Sequence, residues 1–191
     1  MSETLAIIDY GSGNLRSAEK AFARAALESG RDCAILVTDD PSLVAKADRI
    51  VLPGVGAFAD CKRGLEEVAG MRDALTRSVI ERKRPFLGIC VGMQLMATRG
   101  LEHGLTPGLD WIAGDVVPLT ADARHKVPHM GWNEIVPAAK PHPLLEGVPA
   151  GAHAYFVHGY HFRAEHAGDV LASTDYGVPI AATIARDNLA G

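Results

Sequence analysis

The first half of the chain alternates short apolar runs with longer segments of helical periodicity. Residues 5–9 form an apolar run, and after a turn the apolar residues of 14–29 recur three or four positions apart. The same order then repeats along the chain. Further strands are predicted at residues 33–37, 49–52 and 85–90, and helices at 58–81, with a break near Gly70, and at 91–98.

The second half has a different pattern. Its apolar segments are short and β-rich, and Pro, Gly and Asp separate them. The predicted strands are residues 111–119, 127–136, 154–162, 170–174 and 178–185. Apolar strands that alternate with helices favour a parallel sheet covered on both faces, whereas consecutive short strands favour antiparallel pairing.

These patterns predict an α/β fold. We expect three layers, with a mostly parallel sheet between helices on both faces and an antiparallel, β-rich C-terminal half that extends or flanks this sheet. No segment between the halves has the composition of a linker, so residues 1–191 are interpreted as a single domain.

Composition narrows the range of functions. Hydrophobic residues make up 48% of the 191 residues and mean hydropathy is +0.07, which is enough apolar material for a core. With 19 basic and 23 acidic residues the net charge is -4, so we expect no nucleic-acid partner and no anionic membrane surface. The chain shows no leader pattern and no apolar run of about 18 residues, which predicts a cytoplasmic protein.

Three cysteines are widely separated along the chain. Cys33, Cys61 and Cys90 form neither a disulfide framework nor a C-x-x-C metal or redox motif. Cys33 lies in a predicted strand and Cys61 in a predicted helix, so both are interpreted as small buried hydrophobic residues. Their odd number raises the question whether one cysteine is a nucleophile.

A pair of glycines follows the first predicted strand. Gly11 and Gly13 begin like a dinucleotide-binding fingerprint, but Arg16 occupies the third glycine position and would prevent close packing of the helix on the strand. We therefore interpret residues 10–14 as a tight turn. It lies at the carboxyl edge of the sheet, where ligands bind in open α/β folds.

The strongest local signal is a cysteine between two glycines where a predicted strand meets a helix. Gly88, Cys90 and Gly92 match the sharp G-x-nucleophile-x-G turn of hydrolases, with cysteine in place of serine. Side chains at the glycine positions would collide with the neighbouring strand and helix. The helix amino terminus favours a Cys90 thiolate, and the Val91 N–H can donate to a developing oxyanion. We predict that Cys90 is a nucleophile.

A second pair of glycines directly follows another predicted strand. Gly54 and Gly56 bracket Val55 after Pro53, and this allows peptide orientations that other sequences cannot adopt. Two N–H groups can then point into one cavity. The segment is consistent with an ordinary structural loop, and beside the elbow it is also a candidate second wall of an oxyanion hole.

These motifs, together with two later ones, resemble those of class I glutamine amidotransferases along essentially the whole chain. The elbow and the Pro-Gly-x-Gly loop are shared across the class, and the later two motifs resemble the glutaminase subunits of imidazole glycerol phosphate synthases, which act in histidine biosynthesis. The matching segments are Asp9-Tyr-Gly-Ser-Gly-Asn14, Leu52-Pro-Gly-Val-Gly56, Gly88-Ile-Cys-Val-Gly-Met-Gln94, Pro128-His-Met-Gly-Trp-Asn133 and Tyr155-Phe-Val-His158.

The resemblance implies hydrolysis of L-glutamine without a cofactor or a metal. Cys90 would attack the side-chain amide and form a γ-glutamyl thioester, which would release ammonia and then glutamate. The N–H groups of Val91 and of the loop Gly54-Val55-Gly56 would hold the oxyanion. Gln94 would help to hold the substrate, unless it is simply an exposed helix residue.

The resemblance also implies that a short extended segment lies along the amino-acid end of glutamine. His158, Gly159 and Tyr160 align with that segment. Gly159 stands where the family usually has a hydroxyl residue, so one side-chain donor is missing. Backbone contacts could survive this change.

The largest departure from the class concerns the catalytic base. The family completes its catalytic set with a His and a Glu on the strand that follows the turn at residues 186–188, and none of the eight histidines here has an acidic residue two positions later. As printed, the chain should therefore hydrolyse glutamine very slowly. We expect the native product to be longer, and a polypeptide of 191 residues to be poorly stable.

A glutaminase of this type needs a partner that accepts ammonia. The resemblance implies a TIM-barrel cyclase subunit in a heterodimer, because free ammonia would be lost to solvent. Trp132 offers the large amphipathic surface common at interfaces, unless it fills the core of the β-rich half. The residues expected to face this partner are Asn14, Lys126, Pro128, His129, Met130, Trp132 and Asn133.

Two alternatives to this interpretation remain open. The chain could be the glutaminase of another synthase, such as those that make anthranilate, purines or pyridoxal phosphate, although these lack the His-Met-Gly-Trp-Asn motif as a set. It could also be a non-catalytic binding or regulatory subunit that has kept the fold and lost the base.

Overall fold

A computed structural model describes residues 2–139 and 141–191. They form two compact units, one of residues 2–95 and 187–191 and the other of residues 96–186. The last five residues of the chain therefore belong to the first unit.

The first unit is built on a parallel sheet. The order of its strands is β2-β1-β3-β4-β14, and every neighbouring pair is parallel. The strands are β1 (Glu3–Ile8), β2 (Cys33–Thr38), β3 (Arg49–Gly54), β4 (Phe86–Cys90) and β14 (Leu189–Ala190). The parallel pairing predicted from the apolar runs is confirmed, as is a strand beginning at Leu189.

Helices connect these strands. The predicted break near Gly70 is confirmed, because Gly70 has φ +81° and caps a new helix. The helices are α1 (Leu15–Glu28), α2 (Pro41–Val44), α3 (Phe58–Glu67), α4 (Met71–Leu75) and α5 (Val91–Gln94), and a π-helical segment, Thr76–Glu81, continues α4.

Both faces of the parallel sheet are covered. On one face Leu5, Ile7 and Val51 form a cluster against which α1 packs its apolar side chains. On the alternate positions Ala6 and Ile8 are fully buried as well. A strand buried on both faces needs an apolar residue at every position, which explains why β1 is a continuous apolar run rather than an alternating one.

The second unit is dominated by antiparallel strands, as predicted. Three groups pair as β11-β7-β5-β6, β10-β8 and β13-β12-β9, and among the described residues of this unit only β5 and β7 are parallel. The strands are β5 (Arg99–Gly100), β6 (Thr106–Pro107), β7 (Gly114–Pro118), β8 (His129–Glu134), β9 (Val136–Pro137), β10 (His153–His158), β11 (Tyr160–Ala164), β12 (Val170–Asp175) and β13 (Pro179–Arg186).

The prediction of a helix over residues 91–98 was wrong in its extent. Helix α5 ends at Gln94 because the following backbone groups bond elsewhere. The Met96 carbonyl accepts the N–H groups of Trp111 and Ile112, and the Thr98 N–H donates to Gly114. Long-range pairing thus replaces the last turn of the predicted helix.

Two predicted strands are each divided in the structure. The segment 154–162 is two strands that meet at Gly159 and pair with different partners, β10 with β8 and β11 with β7. The carbonyl of Gly159 accepts the Leu119 N–H at this junction. The segment 127–136 is likewise β8 and β9, and the strand predicted at 111–119 is limited to β7.

Within the described residues no helix has both the length and the apolar character needed to cross a membrane.

Candidate active site

Cys90 occupies a strained turn between strand β4 and helix α5. Its backbone has φ +56° and ψ -116°, a conformation that costs a residue with a side chain about 1–3 kcal/mol. The residue is exposed and caps the first turn of α5. The strand-to-helix elbow predicted from the glycines is therefore present, with the cysteine at its tip.

The flanking glycines are required by the space around the elbow. A Cβ on Gly92 would lie 1.8 Å from the carbonyl oxygen of Leu52, and one on Gly88 would lie 2.5 Å from the carbonyl oxygen of Gly92. Both distances are shorter than any real contact of such atoms. The backbone of α5 therefore lies directly on β3, and only glycine at these positions permits this approach.

The Gly54-Val55-Gly56 loop lies beside the elbow. Gly54 is the register partner of Cys90 in the parallel pair of β3 and β4. A Cβ on Gly54 would lie 2.9 Å from the backbone nitrogen of Gly92 and 2.6 Å from the hydroxyl oxygen of Tyr10. Gly56 has φ +96°, a value that glycine adopts without strain. The structure therefore brings the two glycine motifs together.

The peptide groups of Val55 are held by a side chain from the turn after β1. The Val55 N–H donates to Ser12 Oγ at 3.0 Å, and the same hydroxyl donates to the Val55 carbonyl at 2.8 Å. Val55 itself is exposed. In this conformation its N–H is directed at Ser12, so the peptide must reorient before this group can bind an oxyanion.

Two further residues support this loop from the protein interior. The thiol of buried Cys61 donates to the Val55 carbonyl at 3.3 Å and lies 3.4 Å from Ser12 Oγ. The Tyr10 hydroxyl donates to the Pro53 carbonyl at 2.7 Å, and burial raises the pKa of Tyr10 far above its ordinary value. Sequence reasoning did not assign these contacts, although Tyr10 and Ser12 lie in the first of the matching segments.

The pKa of the Cys90 thiol is raised, contrary to the thiolate expected from the helix amino terminus. Burial of the thiol by the surrounding protein raises its pKa above the ordinary value of 9.0, a bond from the Val91 N–H acts in the opposite direction, and nearby Cys61 raises the pKa further. The Val91 amide, a predicted oxyanion donor, thus faces the sulfur. A thiol of this kind needs a base to become a nucleophile.

The unit that carries Cys90 contains no histidine. All eight histidines lie between His103 and His166, within the second unit. Within residues 2–139 and 141–191 no group of three or more His, Cys, Asp or Glu side chains is arranged to hold a metal ion. The first unit therefore carries Cys90 and the Gly54-Val55-Gly56 loop, but no imidazole.

Gln94 is a buried residue at the end of α5, with 9% of its surface exposed. The alternative interpretation of Gln94 as an exposed helix residue is therefore wrong. Its position one turn after Cys90 is compatible with a substrate contact, which stays a prediction.

In the second unit the segment His158-Gly159-Tyr160 joins β10 to β11. His158 Nδ1 lies 2.9 Å from the Tyr160 carbonyl, across Gly159. A Cβ on Gly159 would lie 3.6 Å from Val127 Cγ1, an ordinary contact, so this position has room for the hydroxyl residue usual in the family. Val127 belongs to the segment predicted to face a partner, so a side chain at position 159 would touch that segment.

The ribbon of β8 and β10 has one apolar, exposed face. Met130 is 61% exposed and Trp132 is 71% exposed, and their cross-strand partners Val157 and Tyr155 are exposed as well. The rings of Trp132 and Tyr155 meet edge to face, with centroids 5.7 Å apart. The alternative interpretation that Trp132 fills the core is therefore wrong, and an exposed apolar patch of this kind is typical of an interaction site.

The other predicted interface residues differ in exposure. Lys126 and Pro128 are exposed, whereas His129 is 3% exposed and faces away from the apolar patch. The Asn133 side chain donates to the Asp175 carbonyl at 2.8 Å. In the first unit Asn14 is exposed, and its side chain accepts the Ser17 N–H at the start of α1.

Comparison with known proteins shows the family to which this chain belongs. The sequence model of the family "Glutamine amidotransferase class-I" matches residues 6–191. The chain belongs to the class I glutamine amidotransferases.

Two relatives illustrate the similarity within this family. The chain is 57% identical over 192 residues to a protein of Rhodopseudomonas palustris named imidazole glycerol phosphate synthase subunit HisH. It is 60% identical over 191 residues to the protein of the same name from Rhizobium meliloti. Each alignment covers 98% of this chain and 88% of the relative.

Solved structures support the fold. One crystal structure of a glutamine amidotransferase matches with a TM-score of 0.70 and 16% identity, over 97% of this chain and 86% of the other. Another, from Thermotoga maritima, matches with a TM-score of 0.64 and 12% identity, over 100% of this chain and 74% of the other.

Proposed function

We propose that this chain is the glutaminase subunit of an imidazole glycerol phosphate synthase and acts in histidine biosynthesis in the cytoplasm. Relatives with 57% and 60% identity over nearly the whole chain are named as subunits of that synthase. The observation that carries the proposal is Cys90 at the tip of the strained elbow, beside a glycine loop with backbone donors.

The proposed reaction proceeds through a thioester. Cys90 Sγ attacks the side-chain carbonyl carbon of L-glutamine, and its proton passes to a base. The C–N bond then breaks, and ammonia leaves after it has gained a proton. Water adds to the γ-glutamyl thioester, the C–S bond breaks, and glutamate and the free thiol are produced. No cofactor takes part.

The backbone donors of the elbow and of the loop would stabilise the oxyanion. The Val91 N–H faces the sulfur and is one donor, while the Val55 N–H becomes the second once it leaves Ser12. Donors directed at the developing charge typically contribute a factor of about 10²–10³ in rate. Gln94 and the segment 158–160 are proposed to hold the substrate, with Gly159 contributing backbone contacts only.

We propose that the ammonia acceptor is a TIM-barrel cyclase that forms a heterodimer with this chain. The exposed patch of Met130 and Trp132 on the β8–β10 ribbon supports a partner surface at residues 126–133. Asn14, exposed at the start of α1, is proposed to contact the same partner.

We further propose that the 191 residues alone release glutamate very slowly. Burial raises the pKa of the Cys90 thiol and so disfavours the thiolate, and the unit that carries Cys90 has no imidazole. A thiol without a base in reach typically reacts several orders of magnitude more slowly than one that has a base.

Glutamate release in the presence and absence of the cyclase subunit tests the proposal. We expect release to require the cyclase, and the Cys90→Ala variant to lose it while still binding the cyclase. Cys33→Ala is the matched control, because Cys33 lies on β2 away from the elbow, and it should retain release.

Two outcomes would favour the alternatives. Binding of the cyclase without glutamate release by the wild-type complex would favour a non-catalytic subunit. Failure to bind the cyclase, combined with activity beside another ammonia-accepting synthase, would favour a different pathway.

A further inference from the structure

Two histidines link the predicted partner segment to the predicted substrate segment. His129 on β8 and His158 on β10 are register partners in the antiparallel ribbon, and His129 Nδ1 lies 3.0 Å from His158 Nε2. His158 Nδ1 in turn lies 2.9 Å from the Tyr160 carbonyl oxygen. A continuous line of polar contacts therefore runs from residue 129 to residue 160.

The Tyr160 carbonyl, which is the last acceptor in this line, determines which ring nitrogen of each histidine carries a proton. A carbonyl oxygen can only accept, so His158 must carry its proton on Nδ1 and donate it to Tyr160. The Nε2 of a neutral His158 is then an acceptor, and it follows that His129 donates from Nδ1. The whole line has a single direction, from His129 to His158 to Tyr160.

The aromatic rings around His129 hold it in this orientation. Its ring stacks on Tyr176, with centroids 3.9 Å apart, and on Phe156, with centroids 5.0 Å apart. The Tyr176 hydroxyl donates to the Lys126 carbonyl at 2.7 Å. The orientation of His129 is therefore tied to the backbone just before the segment Pro128–Asn133.

We propose that His129 is a positioning residue for glutamine binding, which acts through His158 on the backbone at Tyr160 and makes the substrate segment dependent on the partner segment. This inference rests on the proposed function, because the substrate segment is defined by it. His129 is buried and faces away from the exposed apolar patch, so its effect on glutamine would be transmitted rather than direct.

The direction of the line also makes it sensitive to acid. A second proton on His158 Nε2 would face the Nδ1–H of His129 and break their bond. Burial lowers the pKa of both residues. Nearby His158 and His125 lower the pKa of His129 further, whereas the bond to the Tyr160 carbonyl opposes the effect of burial on the pKa of His158.

Other titratable groups lie around the pair. The rings of His125 and Tyr176 meet edge to face, and the His125 ring and the backbone N–H groups of Arg124 and His125 lower the pKa of Asp122 to about 2. His161 on β11 has a lowered pKa because of burial and of the nearby His158 and Arg163. Tyr176, which stacks on His129, also faces the pair.

Two substitutions of His129 separate the effect of its Nδ1–H donor from the effect of its stacked ring. His129→Asn places an amide donor near the position of Nδ1 and cannot titrate, whereas His129→Phe keeps the stacking and removes the donor. In the cyclase complex we expect His129→Phe to raise KM for glutamine about tenfold at pH 8, with kcat within about twofold of wild type. His129→Asn should restore KM and should lose the rise in KM that we expect for wild type as the pH falls below 6.5.

A second measurement needs neither substrate nor partner. Long-range ¹H–¹⁵N spectra of the imidazoles report the tautomers, and we expect Nδ1–H for both His129 and His158. The ¹⁵N shift of the His161 amide, which follows the Tyr160 carbonyl, should change in His129→Phe and not in the exposed control His166→Asn.

Failure of this proposal can be distinguished from failure of the proposed function. Nε2–H tautomers, or an unchanged His161 shift in His129→Phe, overturn the proposal even if the complex is active. Equal KM values in wild type and both variants also overturn it. If the wild-type complex releases no glutamate, the proposed function fails, and the spectra still decide whether the pair positions Tyr160.

Discussion

At the scale of single residues, the surrounding protein determines the backbone conformation and the pKa of Cys90 and the hydrogen bonds of Val55. Cys90 adopts a backbone conformation that is costly for any residue with a Cβ, and its thiol has a raised pKa in spite of a bond from the Val91 amide. Val55 is exposed, yet both of its peptide groups are bonded to Ser12. The elbow is in place, while the Cys90 thiol has a raised pKa and the Val55 N–H is bonded within the protein.

The raised pKa of Cys90 predicts slow alkylation at neutral pH. Because the thiolate is the reactive form, the rate with iodoacetamide should rise with pH and reach half its maximum above pH 9. The difference in rate between wild type and Cys90→Ala isolates this residue from Cys33 and Cys61. A plateau below pH 8 would show that the thiolate forms readily and would contradict the prediction.

Ser12 is predicted to protect the Val55 amide from exchange with solvent. Ser12→Ala removes the only acceptor that the structure shows for the Val55 N–H. Such a bond contributes about 1 kcal/mol, so exchange of this amide should accelerate roughly five- to tenfold. Amide hydrogen exchange followed by NMR measures this effect. Ser17→Ala, on the exposed side of α1, is the matched control, and an unchanged Val55 rate in Ser12→Ala would refute the prediction.

At the scale of elements, the close approach of α5 to β3 is what positions Cys90. The approach is possible because Gly92 has no side chain. The sequence predicted this junction well, since the pattern of strand, glycine, cysteine, glycine and helix is local. The sequence did not predict that α5 ends at Gln94, because the groups that replace its last turn come from residues 111–114.

Gly92→Ala should be strongly destabilising. Its Cβ would lie 1.8 Å from the Leu52 oxygen, so β3 and α5 would have to separate, at a cost of about 3 kcal/mol or more. Gly168→Ala is the matched control, because no atom lies within 4 Å of its Cβ and its change should stay within about 0.5 kcal/mol. Urea unfolding of both variants measures the difference, and equal stabilities would contradict the structure.

At the scale of the whole molecule, the chain returns to its first unit at the carboxyl end. The side chain of Asn188 donates to the carbonyls of Val79 and Arg84, and its own carbonyl accepts the Phe86 N–H. These bonds align β14 beside β4, over a separation of more than 100 residues in sequence.

Replacement of Asn188 should weaken this closure. Asn188→Ala removes both donors and should lower the free energy of unfolding by about 1–3 kcal/mol. Asn188→Asp keeps the shape without the N–H groups and should cost at least as much. Denaturant titrations check both values, and a loss of less than about 0.5 kcal/mol in each would show that these bonds contribute little.

The histidines of the second unit predict how stability varies with pH. Burial lowers the pKa of His129, His158 and His161 below the ordinary value of 6.5, so the unfolded chain binds protons first as pH falls. Stability should be greatest well above pH 6.5 and should decrease as the pH falls through 6.5 and below. Urea midpoints across this range test the prediction, and His129→Phe should reduce the slope. A constant midpoint would contradict it.

The sequence by itself determined the features that depend on neighbouring residues. The apolar runs indicated parallel strands β1 to β4, Gly70 indicated a helix break, and two glycines around Cys90 indicated an elbow, because sterics and periodicity act over a few positions. The motifs were also sufficient to identify the family.

The tertiary structure decided the features that depend on distant residues. The length of α5, the division of residues 154–162 at Gly159, the bonds of Val55 to Ser12 and the pairing of His129 with His158 each join groups 14 or more positions apart. Hydrogen bonds between such groups leave no periodic signal in the chain. They form only when folding brings together donors and acceptors that lie far apart in the sequence.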